Sequence, residues 1–207
     1  MSRLGLLGGS FDPVHYGHLW MAETAVEQLR LDELLLIPAG HSPLKPSTPI
    51  TSGVQRAEML ELAVGGAPYL RVDRREIGRE GRSYTIDTLR DIRRERPDAE
   101  LYWIIGADAW HDFAQWRDPQ QIVQLATVAV VQRAGHSAID TRLHEALLGR
   151  KATLEITAAA LHMPAIDVSS TVLRERIAAG KSIRFRTPHA VVAYIEAHGL
   201  YRAGSGQ

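Results

Sequence analysis

Two histidines three residues apart, His15 and His18, close the stretch Gly8-Gly9-Ser10-Phe11-Asp12-Pro13-Val14-His15-Tyr16-Gly17-His18. Residues three apart share one face of a helix, so both imidazoles can donate N–H to a single phosphate. Before the stretch, Leu4 to Leu7 is an apolar run short enough for a buried strand. After it, Leu19, Ala22, Val26 and Leu29 recur at helical spacing. The stretch is therefore predicted to be a strand-to-helix crossing, and the first N–H groups of such a helix, which lack intrahelical partners, make an anion site. Gly8 and Gly9 carry no Cβ and let a ligand lie against the backbone, while Pro13 fixes its own φ. A zinc reading lacks support, with neither His-Glu-x-x-His nor a cysteine. For the two histidines alone, a capping pair at the surface is the alternative.

Three further groups stand at predicted helix starts or strand ends. Ser83-Tyr84-Thr85-Ile86-Asp87-Thr88-Leu89 opens a helix with Ile86, Leu89 and Ile92 on one side and Pro97 beyond its end. Ser83 or Thr85 is expected to cap it and Asp87 suits its dipole; the same N-terminus can also receive an anion. Leu101 to Ile105 is a predicted strand running into Gly106-Ala107-Asp108. Ligands of doubly wound sheets bind beyond the carboxyl ends of strands, so Asp108 is either an acceptor for ribose hydroxyls or a helix N-cap. In Ile166 to Ile177, Leu173 and Ile177 mark a buried face. Ser169, Ser170 and Thr171 stand at the start, with Arg174 one turn after Ser170. Hydroxyls, free N–H groups and a guanidinium match phosphate geometry, against the plainer reading of a serine cap with an exposed arginine.

The remaining pattern supplies the frame. Glu33 to Ile37 and Thr127 to Val131 read as buried strands, Tyr69 to Val72 as a short one, and Leu154 to Ile156 as the last. Helices are expected over Arg56–Val64, Gln121–Leu125 and Arg142–Leu148, and after Pro188 with Val191, Val192, Tyr194 and Ile195 inward. Ala39 to Ser52 reads as a surface loop over the sheet whose one cation, Lys45, either meets phosphate or is solvated. Arg74 to Arg82 reads as a solvated connection. The expected architecture is a single α/β domain over residues 1–202, a Rossmann-like doubly wound fold with a mainly parallel sheet of five or six strands, and a disordered tail at 203–207.

The 24 basic and 24 acidic side chains cancel. That balance lacks the broad basic field of a nonspecific nucleic-acid binder and favours small anionic ligands. The absence of cysteine rules out disulfides and thiol catalysis and agrees with a reducing cytoplasm. Met1 to Gly9 is too short and Gly-rich for a secretory signal, and no apolar run approaches a membrane span, so a cytoplasmic, membrane-free protein is expected.

The eleven-residue string from Gly8 to His18, with its His-x-Gly-His ending, resembles the nucleotidyltransferases that join a nucleoside triphosphate to a phosphorylated small molecule. It is most similar to the bacterial nicotinate-nucleotide adenylyltransferases. Ser-Tyr-Thr-x-Asp-Thr at Ser83, Gly-Ala-Asp at Gly106 with a Trp before a charged residue, and Ser-Ser-Thr-x-x-Arg at Ser169 follow in the order of that family. The resemblance implies catalysis by His15, His18 and Arg174. It implies ATP contacts from Gly8, Gly9, Ser10, Phe11, Gly17, Lys45, Gly106, Asp108, Ser169, Ser170 and Thr171, and contacts to nicotinate mononucleotide from Tyr84, Thr85 and Trp116. Mg²⁺ would be carried by ATP and pyrophosphate, with no ligand from protein side chains. Trp116 would stack on the pyridinium ring, worth roughly 0.5 to 2 kcal/mol, whereas Trp20 and Trp103 are assigned to packing. Where the family usually reads Pro-Pro-His-Lys, this chain has Ser42-Pro43-Leu44-Lys45, so the imidazole is missing. The implied reaction is in-line attack of the acceptor phosphate on the α-phosphorus of ATP. Another phosphorylated acceptor, a nucleotide sensor without catalysis, and a homo-oligomer are left open.

Overall fold

A computed structural model describes residues 1–40, 51–135 and 139–202. Six strands form one sheet: β1 (Arg3–Gly9), β2 (Glu33–Pro38), β3 (Leu70–Val72), β4 (Glu100–Gly106), β5 (Thr127–Arg133) and β6 (Leu161–Met163). Their order is β3-β2-β1-β4-β5-β6, and every pairing is parallel. The chain therefore begins in the middle, winds outward through β2 and β3, and returns to β4 on the other side of β1. That reversal is the switch point at which such sheets open a crevice at their carboxyl rim.

Alternation along the central strands builds two cores. Tyr102 and Ile104 face one side with Leu7, Leu34 and Leu36; Leu101, Trp103 and Ile105 face the other with Leu4, Leu6 and Ile37. The first side is covered by α1 (Tyr16–Leu29), α2 (Gly53–Val64), α8 (Ser170–Ala178) and α9 (His189–Ala197). The second is covered by α3 (Thr85–Glu95), α4 (Ala107–His111), α5 (Pro119–Leu125) and α7 (Arg150–Ala158), with the short α6 (Glu145–Leu148) beside them. Strands buried on both faces need continuous apolar runs, which is why β2 and β4 were legible as such.

Several expectations are corrected. Leu154 to Ile156 is not a strand but part of α7, where Thr153 and Ile156 are buried three residues apart and Leu154 is 59% exposed. The last strand is β6, and Leu161 pairs with Val131. The Arg142–Leu148 helix is divided into a 3-10 turn, Thr141–His144, and α6. Trp103 is packed as expected, but Trp20 is 44% exposed on α1. The connection at 74–82 is not simply solvated, because Glu76 is buried and Arg75 is paired with Asp73 and Glu95. Lys45 and the tail at 203–207 lie outside the described residues. Among the described residues no helix is long and apolar enough to cross a membrane.

Candidate active site

The loop between β1 and α1 is held from all sides. Arg56, on the inner face of α2 and 1% exposed, donates to the carbonyls of Ser10 and Ala39 at 2.7 Å each and to that of Thr51 at 3.4 Å. Arg174 donates to the Asp12 carbonyl at 2.6 Å, Ser170 Oγ to the Pro13 carbonyl at 2.8 Å, and Thr187 Oγ1 to the Val14 carbonyl at 2.8 Å. Carbonyl oxygens that would otherwise repel a phosphate are thus engaged by donors from distant elements. The Asp12 carboxylate is also buried, and its Oδ1 accepts from Tyr201 at 2.6 Å and Thr51 at 2.5 Å. Burial lowers the Arg56 pKa while Asp12 opposes it, and burial followed by Asp12 raises that of Tyr201. Charge and hydroxyls lock each other in place.

Phe11 adopts a positive φ of 50° and turns its ring wholly inward. A Cβ at Gly9 would lie 3.0 Å from that ring, and one at Gly8 would lie 3.0 Å from the Trp103 ring. The two glycines therefore make room for the protein's own aromatics, a requirement the ligand-cradle reading did not include.

His15 is the N-cap of α1 and His18 stands three residues on. Their rings stack, with centroids 3.8 Å apart and planes 21° apart, and Phe11 meets His18 edge-on at 4.9 Å. The two are not equivalent. His15 is 5% exposed, and burial, aided by the positive charge of Arg133, pulls its pKa down to about 4, so it is neutral at pH 7. Its Nδ1 has no hydrogen-bond partner among the described residues. His18 Nδ1 accepts the His15 backbone N–H at 3.3 Å, which leaves Nε2 to carry the proton of the neutral ring. The positive end of α1 is partly used within the fold, since the Tyr16 N–H binds the Arg186 carbonyl and the His18 N–H that of His15.

The start of α8 reaches the same loop. Ser169 is its N-cap, accepting from the Val172 N–H at 3.2 Å. Ser170 and Arg174 make the loop contacts above, and Arg174 also lies 3.3 Å from the Thr171 hydroxyl. A guanidinium has five donors, so these bonds leave others for an anion. His15, His18, Ser170 and Arg174 are thus brought together as expected, while two of them also support the loop.

Across the switch point, Gly106 caps α4, and Asp108 is exposed in its first turn. The N-cap alternative for Asp108 is therefore set aside. Tyr84, with no side-chain cap bond, is the N-cap of α3 and Thr85 is its first residue. The expected caps, Ser83 and Thr85, do not serve. Ser83 Oγ instead accepts the Gly40 N–H at 3.1 Å. The Arg117 guanidinium lies 4.8 Å over the Tyr84 ring, and Trp116 next to it is half-buried, 5.2 Å from the Phe113 ring. The Trp116 Nε1 has no hydrogen-bond partner among the described residues.

Asp12, Thr51, Arg56, Arg133 and Tyr201 were missed as site residues. Asp12 stood inside the marked string, and Arg56 carries a local signal of its own: a charged residue four before Leu60 on the apolar face of a helix.

The family model described as cytidylyltransferase-like matches residues 6–176. A protein of Rhodopirellula baltica named "probable nicotinate-nucleotide adenylyltransferase" is 44% identical over 199 residues, covering 96% of this chain and 93% of its own. One of Thermus thermophilus with the same name is 42% identical over 200 residues, covering 97% of this chain and 100% of its own. The fold is shared with Plasmodium falciparum nicotinic acid mononucleotide adenylyltransferase complexed with NaAD, at 18% identity and a TM-score of 0.73, covering 97% and 98% of the two chains. With the sheet order, the histidine pair at the start of α1 and a match running through nearly all of the strands and α8, this chain belongs to the cytidylyltransferase-like family.

Proposed function

We propose that the protein transfers the adenylyl group of ATP to nicotinate mononucleotide, giving deamido-NAD and pyrophosphate. The observation that carries this reading is the meeting of two helix starts, with His15, His18, Ser170 and Arg174, on one clamped loop at the switch point. The names of relatives more than 40% identical over almost the whole chain support the acceptor.

The acceptor phosphate is ionised near neutral pH and attacks the α-phosphorus in line, so neither a protein nucleophile nor a general base is required. The work lies in bringing two polyanions together and in stabilising charge on the transferring group. His18 donates from Nε2. His15, neutral, offers a hydrogen bond without charge, and Arg133 supplies the positive field beside it. Ser170, Thr171 and Arg174 hold the departing phosphates, and Gly8, Gly9, Ser10, Phe11, Gly17, Gly106, Asp108 and Ser169 line the ATP site. Tyr84, Thr85 and Trp116 receive the nicotinate ring and its carboxylate. Mg²⁺ would be carried by ATP and pyrophosphate, whose phosphate oxygens suit a hard cation, and would supply charge neutralisation there.

The test is pyrophosphate release from Mg-ATP with nicotinate mononucleotide, nicotinamide mononucleotide and phosphopantetheine in parallel. Turnover with the nicotinate acid supports the reading. Turnover only with another acceptor replaces the substrate, and none with any of the three removes the catalytic reading.

A further inference from the structure

Glu76 lies between β3 and α3 and is 5% exposed. Its carboxylate accepts the Thr88 hydroxyl at 2.6 Å and also the Ser83 hydroxyl. Each hydroxyl oxygen accepts in turn: Ser83 from the Gly40 N–H at 3.1 Å, and Thr88 from Arg79 at 3.1 Å, whose other amino group is held by Asp91 at 2.6 Å. An ionised carboxylate only accepts and a hydroxyl has a single proton. Both hydroxyl protons therefore point to the Glu76 carboxylate, while Gly40 and Arg79, which can only donate, fill the hydroxyl oxygens from the other side. Burial raises the Glu76 pKa against the pull of the hydroxyls and Arg79. A buried carboxylate is poor value for stability alone, since apolar replacements of such groups are often neutral or better.

Gly40 begins the loop after β2 and is packed so closely that a Cβ there would lie 2.4 Å from the Glu76 carbonyl oxygen. Ser83 and Thr88 flank Tyr84 and Thr85, the start of α3. We propose that Glu76 is a positioning residue of the acceptor site: acting through Ser83 and Thr88, it holds the start of α3 and Gly40 in register so that the N–H groups at Thr85 face the acceptor's carboxylate. This deepens the function proposed above and rests on it.

Steady-state kinetics of the wild type, Glu76→Gln, Ser83→Ala and Thr88→Val, varying each substrate in turn, test the proposal together with amide hydrogen exchange at Gly40. A carboxamide must donate where the carboxylate accepts, so Glu76→Gln reverses one arm of the relay. The KM for nicotinate mononucleotide is expected to rise about tenfold in Glu76→Gln and Ser83→Ala, with the KM for ATP unchanged within about twofold and faster exchange at Gly40. Ser83→Ala keeps the charge and removes only one hydroxyl, so it decides the matter if Glu76→Gln does not fold. Equal changes for both substrates, or a lower Tm with unchanged KM values, overturn the proposal. A wild type silent on nicotinate mononucleotide removes the function and this inference together. An active wild type with unaltered variants removes only the inference.

Discussion

Arg56 and Ser10 are separated by 46 residues, yet the Arg56 guanidinium donates a 2.7 Å hydrogen bond to the Ser10 carbonyl. The same side chain reaches the Ala39 carbonyl, so one buried cation joins the loop after β1 to the loop after β2. Replacing it with Met leaves three carbonyls without this donor and removes the cation facing Asp12. Unfolding free energy should fall by about 3 to 5 kcal/mol, read from urea melts. Arg56→Lys cannot span both loops and should retain only part of the loss.

In the proposed mechanism His18→Ala removes a donor aimed at developing phosphate charge. Turnover should fall about 100- to 1000-fold, with little change in Tm because the ring is only half-buried. Pyrophosphate release and a thermal melt check the two halves, and near-normal turnover would refute the assigned role.

His15 makes stability depend on pH. Its folded pKa of about 4 lies below the ordinary value of 6.5, so the unfolded chain binds its proton first as the pH falls. The stability linked to the neutral ring is complete above about 6.5 and is lost on descending to about 4, on the order of 3 kcal/mol in all. His15→Gln should flatten that part of the stability profile measured by urea melts between pH 4 and 7.

Gly17→Ala separates stability from turnover. The new methyl would lie 3.0 Å from the His15 ring and 3.2 Å from Val168, so the ring must shift against His18. Alanine in the first turn of α1 returns up to about 1 kcal/mol of helix propensity. Tm should stay close to that of the wild type while kcat falls at least about tenfold.

What was legible in the sequence was local. The run Leu101 to Ile105 and the spacing of Ile86, Leu89 and Ile92 located β4 and α3, because burial on both faces or on one stripe leaves a periodic trace. Leu154-Glu155-Ile156 was misread because three residues of alternation fit a helix turn as well as a strand. The string from Gly8 to His18 marked the loop, but its clamp did not show. Asp12 meets Tyr201, Arg56 meets Ser10, and His15 comes within the field of Arg133 only after the sheet is wound. Glu76 stood in a charged, Gly-containing stretch that reads as solvent-facing, and nothing short of the fold reveals that its carboxylate is enclosed.

The bond between Tyr201 and Asp12 spans 189 residues, and this has a consequence for how the protein is made. A ribosome adding about 5 to 20 residues per second needs roughly 10 to 40 s to pass from the one to the other. Within that interval β2 and then β4 become available to pair with β1, yet the Asp12 carboxylate still lacks its phenol. A product terminated after β6 but before residue 201 therefore holds every strand of the sheet and lacks the phenol that fixes the Asp12 carboxylate.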